Sequence, residues 1–597
     1  METIKGGEFL IRQVKSDTVF ISEEFTEEQQ MMKESIIEFI DRDIWPNRER
    51  FENKDYDFTV ECMQKIGDMG LLGISVPEQY GGLGMGFVST LLVCDFISGS
   101  SGSLATAFGA HTGIGTIPIL LYGTEEQKQK YVPKLASGEW FGAYCLTEPG
   151  AGSDANSGKT KAVLSEDGQS YKISGQKMWI TNSGFCSLMI VFARIEDDKN
   201  ITAFLVEYDK NNPNGITLGT EEKKLGIHAS STRQVFYNET VVPINNMLSE
   251  RGKGFKIALN SLNVGRIKLA TAGIDAGRRL ITDAVNYANQ RIQFKTPIAN
   301  FGAIKYKLAE MAARTYATDA MCYRIGKAIQ NNIDDLQAKG KSHQESELKG
   351  VEEFAIECAM AKVYGSESVQ YISDEGIQIY GGMGFSKDTP MEAAWRDSRI
   401  GRIYEGTNEI NRLLSIGMLL KKALKGELDL MTPALEVGKS LLSIPSFETP
   451  DFSELFSEEK HLINNLKKVF LMISGKAIET FGMELEQQQQ LILNTADIMI
   501  QIYVAESTML KTEKLIKKTS IENCEEQIAI SKLNIFNAVD IINSKAKESI
   551  YSFTEGDEQR ILLMGLKRFT KYTNNPNPIA LRKVIADKII SENRYCF

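Results

Sequence analysis

The sequence predicts a mainly α-helical protein with a central β domain of barrel-like type and a further helical domain at its C-terminal end. Two changes of texture carry that prediction. Apolar residues recur three and four apart from about residue 26 to 140, then alternate between Phe141 and about Leu248. Helical spacing returns after "RGKGF" and, past a proline-containing break, runs to the last residues. Strands gathered in the middle of a chain, instead of interleaved with helices, argue against a parallel doubly wound sheet.

At 597 residues the chain exceeds one ordinary core. The expected division is 1–25 as an N-terminal extension, 26–140 as an α domain, 141–256 as the β domain, 257–426 as a second α domain, 427–458 as a linker and 459–597 as a C-terminal helical domain. In the first α domain, "TEEQQMMKESIIEFIDRDIW" offers Thr26 as a helix cap before acidic residues that suit a helix N-terminus. In the β domain, "GQSYKISGQKMWITN", "SLMIVFARI" and "ITAFLVEYD" read as strands, with Asp167-Gly168 as a hairpin turn. The second α domain opens with "NVGRIKLATAGIDAGRRLITDAVNYANQR" and continues over 302–330 and 351–377, around a charged stretch, "DDLQAKGKSHQESELKG", expected to be exposed. A last helix there has Ile410, Leu413, Leu414 and Leu420 as its stripe, Lys421 and Lys422 near its end and Gly426 as its stop. Pro433, Pro445 and Pro450 mark the linker.

A net charge of −10, with only short basic runs, argues against nucleic acid as a partner. Eight cysteines without a C-x-x-C pair fit free thiols in a reducing compartment. Four scattered histidines without H-E-x-x-H argue against a metal site, and no G-x-S-x-G supports a hydrolase. "YGGLGMGF" misses the dinucleotide-binding glycine spacing. The first 24 residues lack a signal or transit pattern, and no run of about 18 apolar residues occurs, so a cytoplasmic chain without a spanning helix is expected.

Five stretches could carry chemistry. "YCLTEPGAGSDANS" sets hydroxyls and glycines at the α-to-β junction, where Thr147 and Ser153 could bind a polar heterocycle or phosphate, or only cap a turn. In "KMWITNS", Trp179 and Thr181 should share a strand face suited to a flat aromatic cofactor, unless the indole is sheet core. "NQRIQFKTPIANF" ends a long helix with Arg291, Gln293 and Phe294, and Arg291 could fork onto a pyrophosphate or satisfy terminal carbonyls. In "IQIYGGMGF", Gly381 and Gly382 would let a ligand approach the backbone beside Gln378, or would simply turn the chain. "RIYEGTNEINR" places Glu405 between an apolar-aromatic pair and a glycine, as a solvated residue before a cap or as a base in an apolar pocket.

In this order and on this α, β, α layout, the five strongly resemble the acyl-CoA dehydrogenase family over residues 26–425. Length, the helical tail and "LATAFGAHTGIGTIPILLYGTEEQKQKY" look most like its very-long-chain branch. The resemblance implies FAD-dependent α,β-dehydrogenation of a fatty acyl-CoA to trans-2-enoyl-CoA in fatty acid β-oxidation, with electrons passed to electron-transfer flavoprotein. Glu405 matches the catalytic base. Tyr144, Leu146, Thr147, Gly152, Ser153, Trp179, Thr181, Thr407 and Glu409 match FAD contacts. Arg291, Gln293, Phe294, Gln378, Gly381 and Gly382 match residues that reach a neighbour's FAD across a homodimer. Ser153, Asn263 and Arg266 match contacts to the CoA moiety, and Tyr404 and Gly406 flank the thioester.

Some branches carry the base immediately before the arginine matching Arg266. Here that residue is Gly265, which leaves Glu405 as the candidate. Small residues Gly109, Ala110, Gly113 and Gly115 suggest room for a long acyl chain, or close helix packing. The family also implies that the tail supports the dimer, with peripheral membrane contact as a weaker expectation. An acyl-CoA oxidase and a catalytically silent assembly protein are the competing readings.

Overall fold

A computed structural model describes residues 4–443 and 451–597. The first α domain consists of α1 (Glu27–Phe39), α2 (Tyr56–Asp68), α3 (Phe87–Ile97), α4 (Gly102–Gly109) and α5 (Glu125–Ser137), with shorter turns between them. Thr26 caps α1 as its sequence suggests: its hydroxyl accepts the Gln29 N–H at 3.2 Å while Gln29 Oε1 accepts the Thr26 N–H at 3.0 Å. All eleven residues of α3 are buried, as befits a helix that is apolar on every side.

After α4 the chain widens into a π-type turn, Ala110–Gly115, before Ile117–Tyr122. The whole helical run Gly102–Tyr122 is long and apolar enough to cross a membrane by length and composition, which corrects the expectation that no such segment exists. Glycine and threonine interrupt the apolar letters without lowering the mean hydropathy far. Within its most apolar window 61% is buried inside the protein, so here it is a core segment. His111 fastens the π-type turn. Its Nδ1 accepts the Gly142 N–H at 3.1 Å, its Nε2 donates to the Leu135 carbonyl at 2.9 Å, and burial pushes its pKa down to about 4, so the ring is neutral.

The β domain is one mixed eight-stranded sheet: β1 (Gly142–Cys145), β2 (Lys161–Leu164), β3 (Ser170–Thr181), β4 (Leu188–Ile195), β5 (Thr202–Glu207), β6 (Ile216–Glu221), β7 (Thr232–Pro243) and β8 (Met247–Leu248). The order is β6-β7-β3-β2-β4-β5-β8, with β1 on β4; β4 runs parallel to β1 and β2, and the remaining pairs are antiparallel. Asp167-Gly168 turns β2 into β3, with Leu164 opposite Tyr171 and Gly168 at φ +69°. The sheet folds over its own core, where Tyr237 on β7 meets Met189 on β4 and Tyr171 on β3 meets Phe204 on β5 edge-on at 5.3 Å. The pairing of β3 with β7 is irregular in more than one place, including a shift between Ile173 and Gly175. The register also shifts between Lys177 and Ile180, and Trp179 sits there at φ +61°.

The second α domain holds α6 (Gly254–Thr271) and α7 (Gly273–Gln290), almost one continuous helix, then α8 (Gly302–Ala338), α9 (Ala355–Tyr380) and α10 (Asn408–Leu424). The charged stretch expected to be exposed is largely helical. α8 continues through Ala338, and Ser342 caps a further helix, His343–Glu353, by accepting the Glu345 N–H at 3.2 Å. Beyond α7, "RIQF" is no longer helix: Ile292–Gln293 pairs with Thr296–Pro297 in a hairpin whose turn residues Phe294 and Lys295 lie at φ +51° and +65°.

The expected linker contains a helix of its own, α11 (Met431–Leu441), with Pro433 in its first turn, where proline is tolerated; Pro445 and Pro450 lie outside the described residues. Then come α12 (Ser457–Phe481), α13 (Gln489–Lys518), α14 (Glu525–Phe553), α15 (Gly556–Phe569) and α16 (Pro578–Glu592). One apolar cluster joins Met360 and Val363 of α9, Met499 and Tyr503 of α13, and Phe9 and Leu10 of the N-terminal extension. The extension lies along the C-terminal helices: Lys467 Nζ donates to the Arg12 carbonyl at 3.0 Å and Lys514 Nζ to the Val19 carbonyl at 2.6 Å. All eight cysteines are free, and seven are buried.

Candidate active site

Glu405 lies in the short turn before α10, where the chain folds back on itself. Its φ is +59° and that of Gly406 is +80°, two successive left-handed residues that only glycine adopts freely. Three side chains hold this backbone. Arg266 Nε donates to the Glu405 carbonyl at 3.3 Å, and Asn411 Nδ2 donates to the carbonyls of Gly406 and Thr407 at 2.8 and 3.1 Å. Lys362 Nζ donates to the Gly406 carbonyl at 2.7 Å and to Asn408 Oδ1 at 2.8 Å. Thr407 then caps α10, its hydroxyl accepting the Ile410 N–H at 3.2 Å.

The carboxyl group of Glu405 points across to α6. A Cβ built on Gly265 would lie 2.8 Å from Glu405 Oε2, so the carboxylate occupies the space that any other residue at 265 would fill. Oε2 is buried and has no hydrogen-bond partner. Burial pushes the Glu405 pKa up to about 7, and the cations Arg266 and Lys362 oppose that rise. A carboxylate near neutrality with an unused oxygen can take up a proton.

That carboxyl group lines a cavity of about 340 Å³. α6 and α7 form one wall with Gly265, Lys268, Leu269, Ala272, Gly273 and Ala276; Thr106, Gly109 and Ala110 come from α4 and the π-type turn, and Tyr404 and Thr181 also line it. Of the four small residues noted in the sequence, Gly109 and Ala110 line the cavity, whereas Gly115 packs against Gly142, where an added Cβ would meet backbone at 3.1 Å. Burial pushes the Tyr404 phenol up to about 12.

A second group of residues surrounds the end of β1. The turn from Thr147 to Ser153 is held by a buried ion pair: Lys177 Nζ donates to Glu148 Oε1 at 2.7 Å and to the Leu146 carbonyl at 3.1 Å, and Glu148 also accepts the Thr160 N–H at 3.0 Å. Gly152 and Ser153 are exposed, and Gly150 and Gly152 face open space. Ile180 is buried, while Trp179 and Thr181 turn away from the sheet core; Trp179 is 55% exposed, which removes the sheet-core reading. The Tyr144 hydroxyl is buried without a partner, near Glu405. An open glycine turn, an exposed indole and an orphaned phenol suit a large flat cofactor such as FAD.

Arg291, Gln293 and Phe294 project on the exposed hairpin, outside the cavity; Phe294 is 90% exposed. Gln378, Gly381 and Gly382 are exposed at the end of α9, and Tyr380 stacks on Tyr287 at 4.1 Å, which brings the two groups to the same end of the bundle. Asn263 and Arg266, matched to contacts with the CoA moiety, lie beside the turn that carries Glu405. Both are buried; Arg266 Nη1 donates to Asn263 Oδ1 at 2.8 Å, so the pair supports the turn that carries Glu405. Glu409 is exposed on α10.

Sequence reasoning missed Lys177, Lys362 and Asn411. A lysine within the apolar run "AIECAMAKVYG" was the available signal for Lys362, since a cation inside a buried helix needs partners.

Comparisons with known proteins agree with this layout. Family models match in consecutive blocks: acyl-CoA dehydrogenase N-terminal domain over 26–139, middle domain over 143–240, and two C-terminal domain models over 252–419 and 465–568. A probable acyl-CoA dehydrogenase of Bacillus subtilis (strain 168) is 42% identical over 591 residues, covering 99% of this chain and 98% of that one. The mitochondrial very long-chain specific acyl-CoA dehydrogenase of Homo sapiens is 39% identical over 411 residues, covering 67% of this chain and 60% of that one. A crystal structure of acyl-CoA dehydrogenase complexed with FAD from Bacillus anthracis has a TM-score of 0.95 and 41% identity, covering 100% of both chains. With its domains matched in order and a relative aligned along nearly its whole length, the chain belongs to the acyl-CoA dehydrogenase family.

Proposed function

We propose that this chain is an FAD-dependent dehydrogenase of long-chain fatty acyl-CoA, with Glu405 as its base. Acyl-CoA dehydrogenation follows from family membership; the base, the chain length and the electron acceptor are the finer reading. The observation that carries it is the Glu405 carboxyl group, aimed into the cavity with Oε2 unpartnered and a pKa raised to about 7.

The carboxylate takes the proton from the thioester's α-carbon, and the electrons of that C–H bond become the second bond between Cα and Cβ. When bound, FAD supplies the acceptor for the hydride that leaves Cβ. Glu405 is fixed for this by Arg266, Asn411 and Lys362, which hold the carbonyls around it, and by Gly265, which leaves its carboxyl group room. Trp179, Thr181 and the Thr147–Ser153 turn would hold the cofactor.

The wall from Gly265 to Ala276, apolar apart from Lys268, spans twelve residues of nearly continuous helix, about 16 Å at the helical rise, which suits a long acyl chain better than a butyryl group. A homodimer is part of the reading, because Phe294 and Phe385 are 90% and 87% exposed beside residues matched to a neighbour's cofactor. Electrons would pass to electron-transfer flavoprotein.

Anaerobic mixing with acyl-CoAs of graded length tests the reading through bleaching of the flavin. Glu405→Gln should retain FAD and acyl-CoA binding and lose at least a thousandfold in bleaching rate. Wild-type rates of bleaching by Glu405→Gln would exclude Glu405 as the base.

A further inference from the structure

Lys268 sits on α6 one turn beyond Gly265, is 5% exposed and lines the same cavity as Glu405. Its ammonium donates to Thr112 Oγ1 at 3.1 Å, and among the described residues no carboxylate pairs with it. Its stem passes Gly113, where a Cβ would meet Lys268 Cδ at 3.9 Å. Burial pushes its pKa below the ordinary lysine value, against the neighbouring Cys94.

Three other deeply buried lysines pair with carboxylates within the protein. Lys177 pairs with Glu148 at 2.7 Å, Lys467 with Glu506 at 2.5 Å, and Lys511 with Asp319. An ammonium carries three donors and Lys268 uses one. Three other carboxylates on the cavity wall are already engaged. Asp397 accepts the Ile227 N–H, and Glu52 and Glu392 each pair with Arg396 at 2.6 Å. Arg279, at the far end, pairs with Asp41 and Asp275. A wall meant only for methylene groups gains nothing from a buried cation with unused donors.

We propose that Lys268 is a binding subsite for an oxygen function, a carboxylate or a hydroxyl, carried by the acyl chain beyond its reacting carbons. The substrate class is then an oxygenated acyl-CoA, with the oxygen taking the donors that the protein leaves free. This rests on the dehydrogenase reading above, and its test separates the two.

Wild-type holoenzyme is mixed anaerobically with unsubstituted, ω-hydroxy and ω-carboxy acyl-CoAs of matched lengths, and kcat/KM for flavin reduction is compared. At one chain length or more an oxygenated chain should equal or exceed its plain counterpart. Lys268→Met should shift that ratio at least tenfold toward the plain chain, by losing rate on the oxygenated one and gaining on the other. A larger response with the carboxylate than with the hydroxyl would assign the site to charge pairing, and equal responses to hydrogen bonding.

Wild-type rates on every oxygenated chain a hundredfold below the plain ones would overturn the subsite, as would an unchanged ratio in Lys268→Met. If that variant does not fold, Thr112→Val, which removes the anchor of the ammonium, should also move the ratio, and an unchanged ratio there counts against the subsite. Bleaching by no acyl-CoA of any kind would remove the dehydrogenase reading itself, and the subsite with it.

Discussion

Glu405 is held in a left-handed backbone conformation that costs of order 1–3 kcal/mol for a residue with a side chain. Arg266, Asn411 and Lys362 offset that cost through the neighbouring carbonyls. Its carboxyl group gives a linked pair of pH effects. In the folded chain the pKa is raised from 4.5 to about 7, so the folded state holds this proton more tightly than the unfolded one. The stability associated with it is complete below pH 4.5 and declines as the pH rises through 7, by up to about 3 kcal/mol. Glu405→Gln does not titrate, so it should be more stable than wild type at pH 8 and equal near pH 4, measured as urea midpoints; an equal advantage at both values would contradict the raised pKa. Wild-type kcat/KM should rise with pH toward a plateau, with an apparent pKa near 7. Gly265→Ala provides a geometric test. Its Cβ would stand 2.8 Å from Glu405 Oε2, the free end of a flexible side chain, so the carboxylate can move away at little cost to folding. Flavin reduction should fall about tenfold to a hundredfold with the thermal midpoint nearly unchanged; a wild-type rate would show that the carboxylate has slack.

At the scale of elements, the irregular positions are the useful ones. β3 breaks register at Trp179, which leaves Ile180 in the core while Trp179 and Thr181 face outward. The same strand sends Lys177 inward, 1% exposed, to tie Glu148 and the Leu146 carbonyl to the sheet. Lys177→Met would leave the Glu148 carboxylate buried without a cation, which costs about 3–5 kcal/mol. The Thr147–Ser153 turn would loosen with it, so weaker FAD retention should accompany the lower urea midpoint. Combining Lys177→Met with Glu148→Gln should recover part of the stability, and a single variant as stable as wild type would refute the role given to the pair. α10 reaches further. Arg412 donates to Glu367 on α9 at 2.9 Å and to Asp497 on α13 at 2.7 Å, so the helix that follows Glu405 is fastened to the C-terminal region.

Over the whole molecule, the C-terminal helices, α9 and the N-terminal extension share one apolar core. Phe9 is 1% exposed and meets Tyr503 edge-on at 4.7 Å, while Lys511 donates to Ser22 at 2.9 Å and pairs with Asp319 of α8. The extension therefore spans both regions instead of trailing from them. Phe9→Ala should destabilise the chain by about 3–5 kcal/mol and speed hydrogen exchange in α13, although Phe9 lies far from α13 in sequence. Exchange in α13 at the wild-type rate would show that the extension is dispensable to the core.

The sequence by itself determined the α, β, α order, the cap at Thr26 and the hairpin at Asp167-Gly168, and it singled out Glu405 as the candidate base. Each depends on residue type and short spacing, which act locally. It did not reveal the helix at 343–353, where polar composition masked an element that Ser342 caps, nor the helix at 431–441, where prolines gave the segment the look of a linker. It did not show that Arg266 and Asn263 bond to each other beside the turn that carries Glu405. Only the tertiary structure decided the state of Glu405, because desolvation, the space left by Gly265 and the charges of Arg266 and Lys362 come from segments up to 140 residues away in sequence. Burial and charge act through space, and chain order does not record which side chains will meet.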